Sequence, residues 1–189
     1  MTIDRDARTS PEITELEPEE YVAAIPELAA LLVDAVEGGA SVNFLAGVTD
    51  PEARAWWTAR IPEVADGTTT VVVARSAVDG RPGAGSIVGS TLLVRTRNPN
   101  APHRAEIGKV IVHRSLRRRG LGRALMEAAE ARALADGRWL LILDTQAGTA
   151  ADALYRSMGW QELGTMPNHA YSAAGVLSPT TYFWKDLRR

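Results

Sequence analysis

The sequence has 189 residues, enough for one domain with a full core, and its 46% hydrophobic and 23% charged content is that of an ordinary globular chain. A formal charge of −2 argues against a general nucleic-acid-binding face, and the lack of cysteine excludes disulfides, thiolate metal sites and a cysteinyl acyl intermediate. No apolar run reaches transmembrane length and residues 1–10 are too polar for a signal peptide, so a cytoplasmic protein without membrane contacts is expected.

Residues 1–11 are polar and read as a disordered N-terminus. Residues 12–187 read as a single domain without linker, repeat or low-complexity tract. A short strand is expected at 12–16. Residues 18–37 have a helical pattern, with Leu28, Leu31, Leu32, Ala35 and Val36 as the apolar stripe. Pro26 is expected to kink or restart this helix, and Gly38-Gly39 to end it. Residues 41–48 are a loop or short helix. Asp50 is expected as N-cap and Pro51 as the first position of a second helix, which carries Trp56 and Trp57 and stops before Pro62.

Strands at 69–75, 87–94 and 105–112 should form an antiparallel meander, joined by a glycine-rich hairpin loop at 77–86 and a loop at 95–102. From Gly120 the pattern is helical, with Leu121, Ala124, Leu125, Ala128, Ala131 and Ala135 on one face and Gly137 as the C-terminal cap. This helix crosses to a strand at 139–144, apolar without alternation. Such a strand should be buried on both faces and run parallel to 105–112. Thr149 and Asp152 resemble a capping box for a helix at 150–158, which Gly159 stops. Strands at 160–166 and 180–185 then flank a loop at 167–179. The class is α/β of the α+β kind: a mixed, mostly antiparallel sheet flanked by helices.

The chemistry converges on residues 106–126, EIGKVIVHRSLRRRGLGRALM, where a β-branched strand feeds a helix through an arginine- and glycine-rich turn. First-turn helix amides have no intrahelical partners, and the aligned peptide dipoles favour negative charge there. Gly120 and Gly122 carry no Cβ, so a bulky anion can approach the backbone. Arg114, Arg117, Arg118, Arg119 and Arg123 add positive charge. A phosphate or pyrophosphate pocket follows. It is not a P-loop, because no Gly-Lys-Ser/Thr is present, and it lacks the third glycine of the dinucleotide fingerprint. A solvated basic loop before a surface helix is the alternative.

Arg117-x-x-Gly120-x-Gly122, set between a valine-rich strand and an amphipathic helix, resembles the acyl-CoA signature of the GNAT superfamily of N-acetyltransferases. The second signature of that family is matched by Leu154-Tyr155-Arg156-Ser157-Met158-Gly159-Trp160. The resemblance spans about residues 70–184 and is more specifically to the tabtoxin-resistance type, through EIGKV at 106–110, LDT at 143–145, TTYF at 180–183 and GASV at 39–42. It implies a GNAT-like acyl-CoA N-acyltransferase fold with acetyl-CoA as co-substrate and no metal.

By the same resemblance, the pyrophosphate is held at Arg117, Arg118, Arg119, Gly120, Leu121, Gly122 and Arg123. The backbone of Val110, Ile111 and Val112 pairs with the pantetheine arm and the thioester carbonyl, and an amide near Val112 meets the oxyanion. Tyr155 is the expected acid for the leaving thiolate, with a core tyrosine as the alternative. Asp144 and Glu106 are the candidate bases or ammonium binders. Asp144 ends a strand on the side where open α/β sheets bind ligands, and its other reading is a loop cap; for Glu106 it is a sheet-edge ion pair. Asn43, Phe44, Trp56, Thr145, His169 and Tyr171 are assigned to the acceptor pocket; His103 and His113 are not. Gly148 stands where the family often has an asparagine that bonds the pantetheine.

The expected activity is transfer of the acetyl group to a primary amine of a small amino-acid-like acceptor, by direct attack, in a monomer or homodimer. The rivals are peptide or protein acetylation, a non-catalytic acyl-CoA-binding regulatory domain, and a nucleotide-binding module.

Overall fold

The computed structural model describes residues 11–77 and 85–188. The expected N-terminal tail and most of the 77–86 loop lie outside the described residues. The strands β1 (Glu12–Glu15), β2 (Thr69–Arg75), β3 (Ile87–Arg95), β4 (Arg104–Val112), β5 (Leu140–Gln146), β6 (Gln161–Tyr171) and β7 (Leu177–Asp186) form one sheet in the order β1-β2-β3-β4-β5-β7-β6. All neighbours are antiparallel except β4 and β5. The mixed, mostly antiparallel sheet read from the sequence is therefore present, with its one parallel pair where the helical crossover requires it.

Strand alternation sorts the core onto two faces. Val71 and Val73 of β2 meet α1 (Pro18–Glu37) and α2 (Asp50–Thr58), around Leu28, Leu32 and the fully buried Trp57. Val72 and Ala74 point the other way, to Leu121 and Leu125 of α4 (Leu121–Ala135). Leu141, Leu143 and Phe183 continue that second face beneath Met126 and α5 (Ala150–Ser157). Gly89 lets α4 approach closely: a Cβ there would lie 2.8 Å from Leu125 Cδ1. Each such leucine contributes about 1.5–3 kcal/mol by leaving water.

Several expectations are corrected. Pro26 does not restart α1, which runs unbroken through it; the proline lies on the exposed face, where the carbonyl of exposed Val22, left without its helical donor, can meet water. The N-cap of α2 is Thr49, not Asp50, because the Thr49 hydroxyl and the Glu52 carboxylate bond each other's main-chain amides. Pro62 does not merely end a helix. It lies in the first turn of α3 (Ile61–Ala65).

The strand β5 is not buried on both faces. Leu141 and Leu143 are buried, whereas Leu140 and Ile142 are half-buried and Asp144 is exposed. The helices α4 and α5 cover one face, while α1 and α2 sit over β2, β3 and β4. The expected loop at 167–179 is instead the far end of a long hairpin. There Ala170 pairs with Ser178 and Tyr171 with Leu177, after an irregularity near Asn168 at φ +52°. Thr149 caps α5 as expected, but the Asp152 carboxylate takes the Gly148 amide rather than closing the box on Thr149.

Candidate active site

The site is built where the parallel pair comes apart. β4 and β5 pair only at Arg104–Leu140, Ala105–Leu141 and Glu106–Ile142. Beyond Glu106 the strands diverge, leaving one edge of β4 open to a ligand backbone. A bulge adds to the effect. Three residues of β3, Ser90 to Leu92, span four of β4, Ile111 to Gly108, and Lys109 takes φ +50°. Hydroxyls of Ser90 and Thr91 donate to the Lys109 and Gly108 carbonyls at 3.4 and 3.3 Å. The bulge reverses the alternation. Ile107 packs on the α4 face, yet Ile111 packs on the α1 face.

On the α4 side of the gap lies a cavity of about 330 Å³. Val110, Ile111 and Val112 line it together with Arg117, Arg118, Gly120, Leu121, Gly122 and Arg123 of the turn and Leu154 and Tyr155 of α5. Arg119 does not line it. Gly120 stands at φ +81° as the N-cap of α4, which turns the chain so that the first amides of the helix look into the cavity mouth. Such an arrangement can accept an anion at the helix N-terminus and an apolar chain beside it.

The arginines divide by partner. The Arg117 guanidinium donates to the carbonyls of Val112 and Gly38 at 3.2 and 3.3 Å, so it braces the turn against the end of α1. Arg114 does the same through Asp34, which accepts from the Arg114 amide at 3.0 Å and from Nε at 2.5 Å. Arg123 donates to the Ser157 hydroxyl at 2.9 Å. No ion pair or hydrogen bond within the described residues occupies Arg118 or Arg119, and of the two only Arg118 lines the cavity.

Burial alone would raise the Asp34 carboxyl, but the Arg114 bonds and the neighbouring His113 and Arg114 charges hold it below the usual range. A depressed carboxylate contributes stability in full above the ordinary aspartate range and loses it as pH falls through the depressed value. Asp34→Asn is therefore expected to cost about 1–3 kcal/mol at pH 7, with the deficit shrinking on acidification, as urea melts at several pH values would measure.

The α1–α2 side of the gap is charged and aromatic. Phe44 and Trp56 meet edge to face at 6.1 Å, and Lys109 Nζ stands 4.7 Å from the Trp56 ring centroid. Glu106 and Asp144 open onto the same side. Burial, then the Asp144 charge, pushes the Glu106 carboxyl above the usual range. Burial, then the Arg60 charge, lowers Lys109 to about 8, against the pull of Asp144 and Glu106. Tyr155 is 5% exposed, and burial, then the Asp144 charge, pushes its phenol well up. Asp144 thus acts electrostatically on both sides of the gap.

Of the sequence-expected acceptor residues, Phe44 and Trp56 converge here. Asn43 is exposed in the preceding loop at φ +69°, and Thr145 follows Asp144 on β5, opposite Thr181. His169 lies 3.2 Å from the Tyr182 hydroxyl, and Tyr182 is the direct cross-strand partner of Asp144. Tyr171 is 61% exposed near the hairpin tip. The sequence reading missed Lys109, Arg60 and Tyr182. The signal available for Lys109 was a lone lysine inside a strand otherwise apolar from 107 to 112. Among the described residues no cluster of three or more His, Cys, Asp or Glu is placed to hold a metal, and no helix is long and apolar enough to cross a membrane.

A parallel pair splayed over a glycine-started helix, in a seven-stranded mixed sheet, is the architecture of the acyl-CoA N-acyltransferases. Residues 45–160 match the acetyltransferase (GNAT) family, and the chain belongs to that family, as an acetyl-CoA-dependent N-acetyltransferase. Solved structures agree on the fold. A phosphinothricin acetyltransferase of the GNAT superfamily from Sinorhizobium meliloti, solved with acetyl-CoA, is 18% identical, with 95% of this chain and 89% of that chain covered and a TM-score of 0.75. The yncA protein of Salmonella typhimurium, solved with its cofactor acetyl-CoA, is 19% identical over 95% of both chains, with a TM-score of 0.70. A ribosomal-protein-alanine N-acetyltransferase from Brucella melitensis is 27% identical, with 93% and 99% covered and a TM-score of 0.67.

Proposed function

We propose that the chain acetylates a primary amine of a small amino-acid-like acceptor, by direct attack of the free amine on the acetyl-CoA thioester. The observation that carries this reading is the two-sided gap between β4 and β5: an apolar channel with an anion seat on one side, and a charged aromatic cleft on the other. The coenzyme enters from the α4 side, its pyrophosphate on the amides at Gly120–Arg123 and the charge of Arg118. Its arm pairs with the open edge of β4 at Val110–Val112, and an amide near Val112 holds the oxyanion. The acceptor ammonium approaches Glu106 and Asp144, loses its proton there and attacks. Tyr155 gives a proton to the departing thiolate.

The resemblance to the tabtoxin-resistance type, a single domain over 12–187 and cytoplasmic residence belong to the same reading. Phosphinothricin acetyltransferases among the structural neighbours support a small acceptor. The ribosomal-protein-alanine enzyme keeps a peptide N-terminus as the second reading. A screen of free amino acids, other small amines and short peptides for CoA release decides between them. Preference for peptides sinks the small-acceptor reading.

The two carboxylates are separable. Glu106 is held above the usual carboxylate range and so is the better proton acceptor near neutrality. Glu106→Gln is expected to lower kcat by about 10²-fold and to abolish the acidic limb of the pH–rate profile. Asp144→Asn should keep that limb but shift it to lower pH, because the charge that raises Glu106 has gone.

A further inference from the structure

The geometry points to a binding site for the acceptor's own carboxylate, formed by Lys109 and Arg60 where both stand against the Trp56 indole. It rests on the acetyl transfer proposed above and narrows the acceptor from a small amine to a free amino acid.

Three observations carry it. First, the two cations share one aromatic support: Arg60 Cζ lies 3.2 Å and Lys109 Nζ 4.7 Å from the Trp56 centroid. Arg60 is also anchored by donating from Nη1 to the Trp56 carbonyl at 2.5 Å. Second, neither makes an ion pair within the described residues, although both are partly withdrawn from water. Burial pulls the pKa of each below its ordinary value, and the Arg60 charge pulls Lys109 down further; the guanidinium itself stays charged. Two like charges on one ring, with no carboxylate in direct contact with either, are costly, and an anion that bonds both removes part of that cost. Third, the backbone is bent to place one of them. In an unbulged strand, position 109 would point with Ile107 towards α4. The bulge at φ +50° turns the lysine to the α2 side instead.

The carboxylates near the pair are Glu106 on β4 and Asp144 on β5, which act on Lys109, and Glu63 on α3, which acts on Arg60. The cleft therefore presents cations from α2–α3 and β4 beside carboxylates from β4 and β5. A zwitterion matches both, with its carboxylate on Lys109 and Arg60 and its ammonium towards Glu106 and Asp144. A primary carboxamide or a decarboxylated amine matches only half. A peptide N-terminus has an amide at that position and is rejected for the same reason.

The test compares free L-amino acids with their carboxamides and decarboxylated amines, using the full chain, acetyl-CoA and CoA release. Wild type should favour the acids by about 100-fold or more in kcat/KM. Lys109→Met and Arg60→Gln should each reduce that preference to tenfold or less, mainly through KM, and Lys109→Arg should restore it. The ratio of wild-type to Lys109→Arg kcat/KM for an acid should fall above about pH 8, where Lys109 loses its proton. Ionisation of the acceptor, Glu106 and Asp144 cancels in that ratio. Equal use of acids and carboxamides by wild type overturns the inference while leaving acetyl transfer intact. So does a preference that survives in both variants. Acetyl-CoA binding without turnover of any amine overturns the acetyl-transfer reading, and this inference with it.

Discussion

Tyr155→Phe is expected to lower kcat by about 10²-fold or more while leaving acetyl-CoA affinity and the melting temperature almost unchanged. The separation follows from the surroundings of the ring. It packs against Trp160 at 6.2 Å and Phe183 at 6.1 Å, contacts that phenylalanine retains. Its hydroxyl makes no hydrogen bond to the described residues, so its removal orphans no partner. Tyr155 lines the cavity proposed for the coenzyme, and without its proton donor the thiolate would depart uncompensated. Because burial and the Asp144 charge push the phenol well above its ordinary value, the group stays protonated through the alkaline range. The wild-type kcat profile should therefore show no descending limb below pH 10 from this residue. Turnover of Tyr155→Phe within twofold of wild type, with a verified acceptor, removes the assignment.

Gly122→Glu is expected to abolish detectable acetyl-CoA binding, a loss of more than about 100-fold or 2.7 kcal/mol, without destabilising the fold. Gly122 is the second residue of α4 and lines the cavity. A Cβ there meets only Leu154 Cδ2 at 3.4 Å and Val112 Cγ2 at 3.8 Å, which is ordinary contact. An acidic residue in a first helical turn is favourable by about 0.3–1 kcal/mol, and replacing glycine inside a helix adds about as much. The carboxylate then occupies the seat the diphosphate needs and repels it. Gly122→Gln separates bulk from charge. Calorimetric titration together with thermal melts reads both quantities, and an unchanged Kd in Gly122→Glu disproves the seat. By contrast, Gly120→Ala forces a side chain into φ +81° and should cost about 1–2 kcal/mol of stability as well.

The turn proposed as an anion seat was legible because its signal is local. Glycines at 120 and 122, arginines before them and helical periodicity after them all lie within one stretch, and hydrogen bonds to successive amides need no distant partner. The ends of α1 and α4 were readable for the same reason. The acceptor cleft was not. Trp56, Lys109 and Asp144 are far apart in the chain, and the bulge that turns Lys109 is a property of the β3–β4 register. His169 and Tyr171 were placed in a loop because Pro167, Asn168 and Pro179 look like turn residues. Pairing with β7 overrode that preference.

Periodicity and turn chemistry in the bare chain were sufficient to specify the strand–turn–helix unit and its fitness for a phosphate, since both depend on neighbours within a few residues, while the class of coenzyme followed from the resemblance of residues 117–122 and 154–160 to the GNAT signatures. Which charges face the acceptor was decided only by the sheet. The divergence of β4 from β5 and the single extra residue at Lys109 bring charges from β4, β5 and the α2–α3 junction into one cleft, and no short-range rule encodes a meeting of that kind.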